Sequence, residues 1–255
     1  MKKLALCIGI NYEGTNNELS ECIHDMQSWS AVLQGAGFSV RMLRERFATG
    51  QNILDQIRWM LSEAVKGDSL MITYSGHGTQ VPDQSGDEAD QMDEAWCPAD
   101  IWTEGPLVDD QLWAAWKSKR PGVQLVVLSD SCHSGSVVKA FEVPAKGRKK
   151  FLHHRHFLKP GMLAGRNVEG GDEPDDKSLW PVLLISGCAD PEYSYDAPAL
   201  GNGAFTSYAL RALKQIGMGA TYNEWFAAIR RALPSRDYPQ TPQLSGSFGG
   251  KKVFS

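Results

Sequence analysis

Cysteine is scarce and unhelpfully spaced in this chain. There are five in 255 residues, an odd number with no close C-x-x-C pair, which argues against both a disulfide framework and a structural zinc site. No apolar run approaches the roughly 18 residues that a membrane-crossing helix needs. The start, Met1-Lys2-Lys3, leads into a short apolar stretch at residues 4–10, without the longer apolar region and small-residue cleavage site of a secretory leader. A charge excess is missing too: the net charge is -4, and the 22% of charged residues intersperse both signs. Nothing in that balance pulls the chain toward nucleic acid or anionic lipid. Internal repeats and low-complexity tracts are absent. The expectation is a cytoplasmic protein in a reducing compartment, with neither nucleic acid nor membrane as partner.

What is present is an ordinary apolar fraction, 42%, enough for a chain of this length to bury a full core without cross-links. Apolar stretches at residues 4–10, 39–43, 69–74, 124–129 and 182–186 have strand character. Several are apolar on both faces, as in sheets covered by helices on each side. Between them, Ile53, Leu54, Ile57, Met60, Leu61, Ala64 and Val65 follow the i, i+3, i+4 spacing of a buried helix face, and residues 109–116, 205–213 and 225–233 carry similar stripes. Alternating strands and helices predict an α/β fold: a mostly parallel central sheet with helices on both faces. Two segments break the rhythm. Residues 82–94 read as a polar, acidic loop. Residues 140–178 lack periodicity, basic early (Lys146, Arg148, Lys149, Lys150, Arg155) and acidic late (Asp172, Glu173, Asp175, Asp176). A loop of that length within one domain is usually functional or mobile.

Two strands end alike. One runs into Ser75-Gly76-His77-Gly78, the other into Ser129-Asp130-Ser131-Cys132-His133-Ser134-Gly135. Ligands of open α/β sheets bind beyond the carboxyl ends of strands, so neighbouring strands would bring His77 and Cys132 to one crevice. A thiol is a weak nucleophile until ionised, and an imidazole can favour the thiolate and later protonate a leaving amine. Backbone N–H groups of Gly78 and Cys132 are the candidate oxyanion donors. The separation of the pair, about fifty residues, is the interval found in caspases.

On these residues the chain resembles the caspase-like cysteine peptidases, specifically the metacaspases and their bacterial relatives, the orthocaspases. Tyr74-Ser75-Gly76-His77-Gly78 and Asp130-Ser131-Cys132-His133-Ser134-Gly135 match the histidine and cysteine motifs of that family. Gly9-Ile10-Asn11-Tyr12, Ser186-Gly187-Cys188-Ala189-Asp190 and Gln240-Thr241-Pro242-Gln243-Leu244 extend the likeness. The resemblance implies a caspase-like three-layer sandwich in one peptidase domain over 1–255, with a large-subunit-like part at 1–139, a linker at 140–179 and a small-subunit-like part at 180–255. It implies a monomeric endopeptidase acting on proteins or peptides with exposed Arg or Lys. Asp25 and Asp130 align with the aspartates that line the family's pocket for a basic P1 side chain.

Calcium activation is a further implication, through Asp93, Asp109 and Asp110, although Lys139 stands where the family carries a fourth acidic residue. No cofactor is needed for the chemistry itself. The linker falls where caspase-like chains are cut, making Lys146, Arg148, Lys149, Lys150, Arg155, Lys159 and Arg166 candidate self-cleavage sites. Cys7, Cys22, Cys97 and Cys188 read as packing residues. Two other readings stay open: a catalytically silent peptide-binding module on the same fold, and a thiol hydrolase of small amides.

Overall fold

The computed structural model describes residues 1–83, 91–132, 145–163, 180–190 and 192–255. Along the chain the elements are β1 (Lys3–Gly9), α1 (Cys22–Gly35), β2 (Ser39–Arg44), α2 (Gly50–Glu63), β3 (Ser69–Ser75), β4 (Gly78–Pro82), β5 (Met92–Trp96), α3 (Ile101–Glu104), β6 (Leu107–Val108), α4 (Asp109–Trp116) and β7 (Gln124–Asp130). They continue with β8 (Arg148–Lys149), β9 (Leu183–Ser186), β10 (Tyr195–Asp196), α5 (Ala204–Ile216), α6 (Tyr222–Ala232) and β11 (Gln243–Gly246).

The main sheet has the order β11-β9-β7-β3-β1-β2. All neighbours in it are parallel except the β11–β9 pair at one edge. Side chains of its central strands alternate between two apolar clusters, as a period of two requires. Leu6, Ile8, Leu70, Ile72, Leu125 and Val127 join one cluster with Ile53 and Ile57 of α2 and Trp116 of α4. Ala5, Cys7, Met71, Val126 and Leu128 join the other, with Met26 and Trp29 of α1, Phe205 of α5 and Trp225 of α6. Three layers result, and the continuous apolar runs are strands buried on both faces. Among the described residues no helix is long and apolar enough to cross a membrane.

Two stretches differ from the sequence-based expectation. The acidic segment expected as a loop after β4 re-enters a strand at Met92: β4, β5 and β6 form a small antiparallel sheet with Val81 opposite Asp93 and Ala95 opposite Val108. Its two carboxylates, Asp93 and Glu94, hide the strand pattern, yet the ladder satisfies the backbone groups. The described part of the 140–178 stretch, expected as an aperiodic loop, is tied into the fold at several points. Leu152, Phe157 and Leu163 belong to the α2-side core, and β8 pairs with β10.

Candidate active site

Strands β3 and β7 are neighbours in a register that sets Ser75 opposite Asp130. His77 and Cys132 each lie two residues beyond that pair, so equal steps past a shared line deliver both to the same end of the sheet. His77 is buried, and its Nε2 lies 2.7 Å from the Asn17 carbonyl oxygen. A carbonyl only accepts, so Nε2 carries the proton and Nδ1 holds the lone pair. Nδ1 is buried with no hydrogen-bond partner among the described residues. Burial pushes the imidazole down to about 4, with the Asn17 carbonyl opposing the shift and the Lys150 charge adding to it. The Tyr12 ring packs 4.7 Å from the imidazole, centroid to centroid, and the Tyr12 hydroxyl accepts from the His77 backbone N–H at 2.9 Å.

Asp25, in the first turn of α1, and Asp130, the last residue of β7, converge in a closed pocket. Between them sits the ammonium of Lys150, itself fully buried. Its Nζ is 3.0 Å from Asp25 Oδ2, 3.2 Å from Asp130 Oδ2 and 2.9 Å from Ser75 Oγ. Burial alone would lower the lysine pKa; Asp130 and Asp25 together outweigh it and hold the group well above its ordinary range. Two buried carboxylates facing one cation leave an unbalanced negative charge, which is costly without further donors. The N-terminus of α5 supplies them: the Gly203 N–H donates to Asp25 at 2.8 Å, and the Thr206 N–H and hydroxyl donate to Asp130 at 3.1 and 2.8 Å. That end of a helix favours negative charge. Ser75 and Ser194 hydroxyls complete the shell at 2.6 Å to Asp25 and 2.7 Å to Asp130. Gly203 has to lack a side chain, because a Cβ there would lie 2.4 Å from Lys150 Nζ and 2.5 Å from Asp130 Oδ2.

The main chain around Lys150 is equally constrained. β8 runs antiparallel to β10, with Lys149 opposite Tyr195, and the Lys150 N–H donates to the Ser194 carbonyl at 2.9 Å. The Lys150 carbonyl oxygen accepts from two amides at once, Gly78 at 3.0 Å and Cys132 at 3.3 Å. The Gly78 backbone approaches so closely that a Cβ on it would overlap the Cys132 carbonyl. Beyond Lys150 the Leu152 N–H donates to the Gly78 carbonyl at 2.9 Å. The Cys132 thiol is fully buried, and its Sγ accepts from the Ser194 N–H at 2.6 Å.

A family profile described as "Metacaspase, peptidase C14 domain" matches residues 3–141. Metacaspase-1 of Schizosaccharomyces pombe is 33% identical over 96% of this chain and 67% of its own length. The chain belongs to the metacaspase family. A crystallised protein of Geobacter sulfurreducens superposes with a TM-score of 0.81 at 34% identity, covering 100% of this chain and 99% of that one. The Drosophila initiator caspase Dronc superposes with a TM-score of 0.62 at 12% identity, over 99% of this chain and 82% of its own. That last likeness concerns the fold alone, and it makes the three-layer sandwich caspase-like. Metacaspases are cysteine peptidases, so the protein substrates and thiol chemistry expected from the motifs are those of its family.

The other residues singled out in the metacaspase sequence lie as follows. Lys146 is exposed and pairs with Asp237 at 3.0 Å; Arg148 is exposed and donates to the Glu18 carbonyl at 2.6 Å. Lys149, Arg155 and Lys159 are exposed. Arg166 and Lys139 lie outside the described residues. Asp93 is on β5, while Asp109 and Asp110 open α4. Among the described residues no three His, Cys, Asp or Glu side chains form a group able to hold a metal ion. Cys7, Cys22, Cys97 and Cys188 are buried. Burial raises the first three thiols, Cys7 to about 12, while contact with Cys132 followed by burial raises Cys188.

Sequence reasoning did not single out several residues that build this metacaspase site. Lys150 stood among several equivalent cations. Gly203, Thr206 and Ser194 carry no local signal of their own. Tyr12 and Gln240 lay in stretches noted only for likeness. Gln240 is buried and ties the 193–195 segment in place, donating to the Gly187 carbonyl at 2.8 Å and accepting from the Tyr195 N–H at 3.2 Å.

Proposed function

We propose that the protein is a cysteine endopeptidase that cuts after lysine or arginine with His77 and Cys132, and that its own Lys150–Phe151 bond is its first substrate. One observation carries this reading: Lys150 meets the requirements of a bound P1 residue at both ends. Its ammonium lies between two carboxylates, and its carbonyl oxygen faces two N–H donors, one of them from Cys132 itself. A cationic pocket would fit an acidic P1 side chain; this one is anionic and fits a basic one.

The chemistry follows from the placements. The Cys132 thiol leaves Ser194 and passes its proton to Nδ1 of His77, the nitrogen with no hydrogen-bond partner among the described residues. The thiolate adds to the Lys150 carbonyl carbon, and the resulting oxyanion keeps the Gly78 and Cys132 N–H donors. One such donor typically contributes about 100- to 1000-fold in rate. Collapse breaks the carbon–nitrogen bond, the proton on Nδ1 goes to the Phe151 nitrogen, and a thioester remains. Water then attacks the thioester, giving one proton to Nδ1, which returns it to the departing Cys132 sulfur, while the new carboxylic acid loses the other to solvent. The Lys150 carboxylate and the free thiol are the products. Nε2, fixed on Asn17, holds the ring in the tautomer that both steps use.

The test is a time course on a denaturing gel with N-terminal sequencing of the fragments. Wild type is expected to yield a fragment beginning at Phe151, at a first-order rate independent of protein concentration. Cys132→Ala is expected to stay intact. Identical bands for the two proteins, or a cut indifferent to Lys150→Gln, overturn the assignment of this bond. Peptides with Arg, Lys or Asp at P1 test the specificity separately, and a preference for Asp sinks it.

A further inference from the structure

Residues 149–152 alternate. Lys150 and Leu152 are buried, whereas Lys149 is exposed and Phe151 only half-buried. An extended chain points successive side chains to opposite faces, so Lys149 and Phe151 flank the Lys150–Phe151 bond on the outer side. Both meet the same ring. Lys149 Nζ is 4.0 Å from the centroid of Tyr193. The Phe151 ring is 5.8 Å from that centroid, at an interplanar angle of 62°. The first geometry is a cation over an aromatic face and the second an edge-to-face pair. Tyr193 is positioned to do this by its neighbours: Ser194 takes the Lys150 N–H on its carbonyl, and Tyr195 pairs with Lys149 across the β8–β10 ladder.

We propose that Tyr193 is a specificity-determining residue that reads both sides of the scissile bond, favouring a cationic P2 and an aromatic P1′ residue in addition to the basic P1. The inference rests on the reading that Lys150 occupies the P1 position. It goes beyond it by naming a dibasic-aromatic sequence as the preferred substrate class. The S1 carboxylates cannot supply this preference, since they are enclosed beneath the strand and touch neither flanking side chain.

The experiment measures kcat/KM for internally quenched peptides built on Gly-Arg-Lys-Lys-Phe-Leu. One has P2 Lys replaced by Gln and another has P1′ Phe replaced by Ala; each is assayed with wild type, Tyr193→Phe and Tyr193→Ala. Wild type is expected to prefer P2 Lys by about 3-fold and P1′ Phe by about 5-fold. Tyr193→Phe keeps both ratios within about two-fold, because the ring remains. Tyr193→Ala brings both toward unity. Ratios on one enzyme preparation are independent of its active fraction, and the wild-type and Tyr193→Phe ratios stand even if the alanine variant does not fold. Equal turnover of the three peptides by wild type, or preferences that survive in Tyr193→Ala, overturn the role of Tyr193 while leaving the P1 reading intact. Failure to cut any peptide with P1 Lys overturns both.

Discussion

Replacing Asp25 by asparagine isolates the charge of the pocket from its shape. Asp25 accepts from Gly203 N–H on Oδ1, and from Lys150 Nζ and the Ser75 hydroxyl on Oδ2. In Asp25→Asn the amide oxygen keeps the Gly203 bond, which leaves the amide NH2 facing the P1 cation, donor against donor. Ser75 can turn to accept, but the ammonium cannot. A hydrogen bond to a charged group contributes about 1.5–3 kcal/mol, and each 1.4 kcal/mol is tenfold. The expected loss of kcat/KM is therefore roughly 10- to 150-fold for P1 Lys and Arg. The assay compares P1 Lys with P1 norleucine in otherwise identical peptides on one preparation, so that the ratio reports the pocket and not the folded fraction. Asp130, with its four donors unchanged, keeps some preference for a cation. An unaltered Lys-to-norleucine ratio in Asp25→Asn refutes the electrostatic account of P1 selection.

Gly203→Ala places a methyl group against Lys150 Nζ and both pocket carboxylates; turnover of basic P1 peptides is expected to fall at least tenfold while circular dichroism stays native. In a Cys132→Ala background, Lys150→Met strands Asp25 and Asp130 without their cation. Urea unfolding is expected to lose about 3–5 kcal/mol, less whatever water entering the emptied pocket restores, and a loss under about 1 kcal/mol contradicts the buried triad. His77 predicts a pH dependence. Its folded pKa of about 4 lies below the ordinary 6.5, so the unfolded chain binds more protons between those values. Stability is then complete above pH 6.5 and falls as the pH drops toward 4, by about 3 kcal/mol in total. His77→Gln in the same background should flatten that part of the profile relative to the histidine protein, and parallel profiles dismiss the assignment.

The central sheet was legible because its inner strands are apolar on both faces, as in a sheet covered on each side. Residues 69–74 and 124–129 were read as strands and extend by one residue each in β3 and β7. The convergence of His77 and Cys132 on one end of the sheet was legible for the same reason, since two similar strand ends meet once the strands are neighbours. The small sheet was not. β5 reads Met-Asp-Glu-Ala-Trp and β6 is two residues long, so neither alternation nor length distinguishes them from a loop. Lys150 was the least legible residue. Within Arg148-Lys149-Lys150 nothing local separates the buried lysine from its exposed neighbours. Its burial is decided by carboxylates 125 and 20 positions away and by the end of α5, which are tertiary facts.

Hydrolysis after Lys150 would sever a covalent link and little else. The severed end would still be laddered to β10, clamped by its ammonium, and would now present a carboxylate to the two amides that held its carbonyl. Scission and liberation are thus separate events. The first product of such a cut would also be the first competitive occupant, and the onset of activity toward outside chains would be timed by how fast that tail lets go.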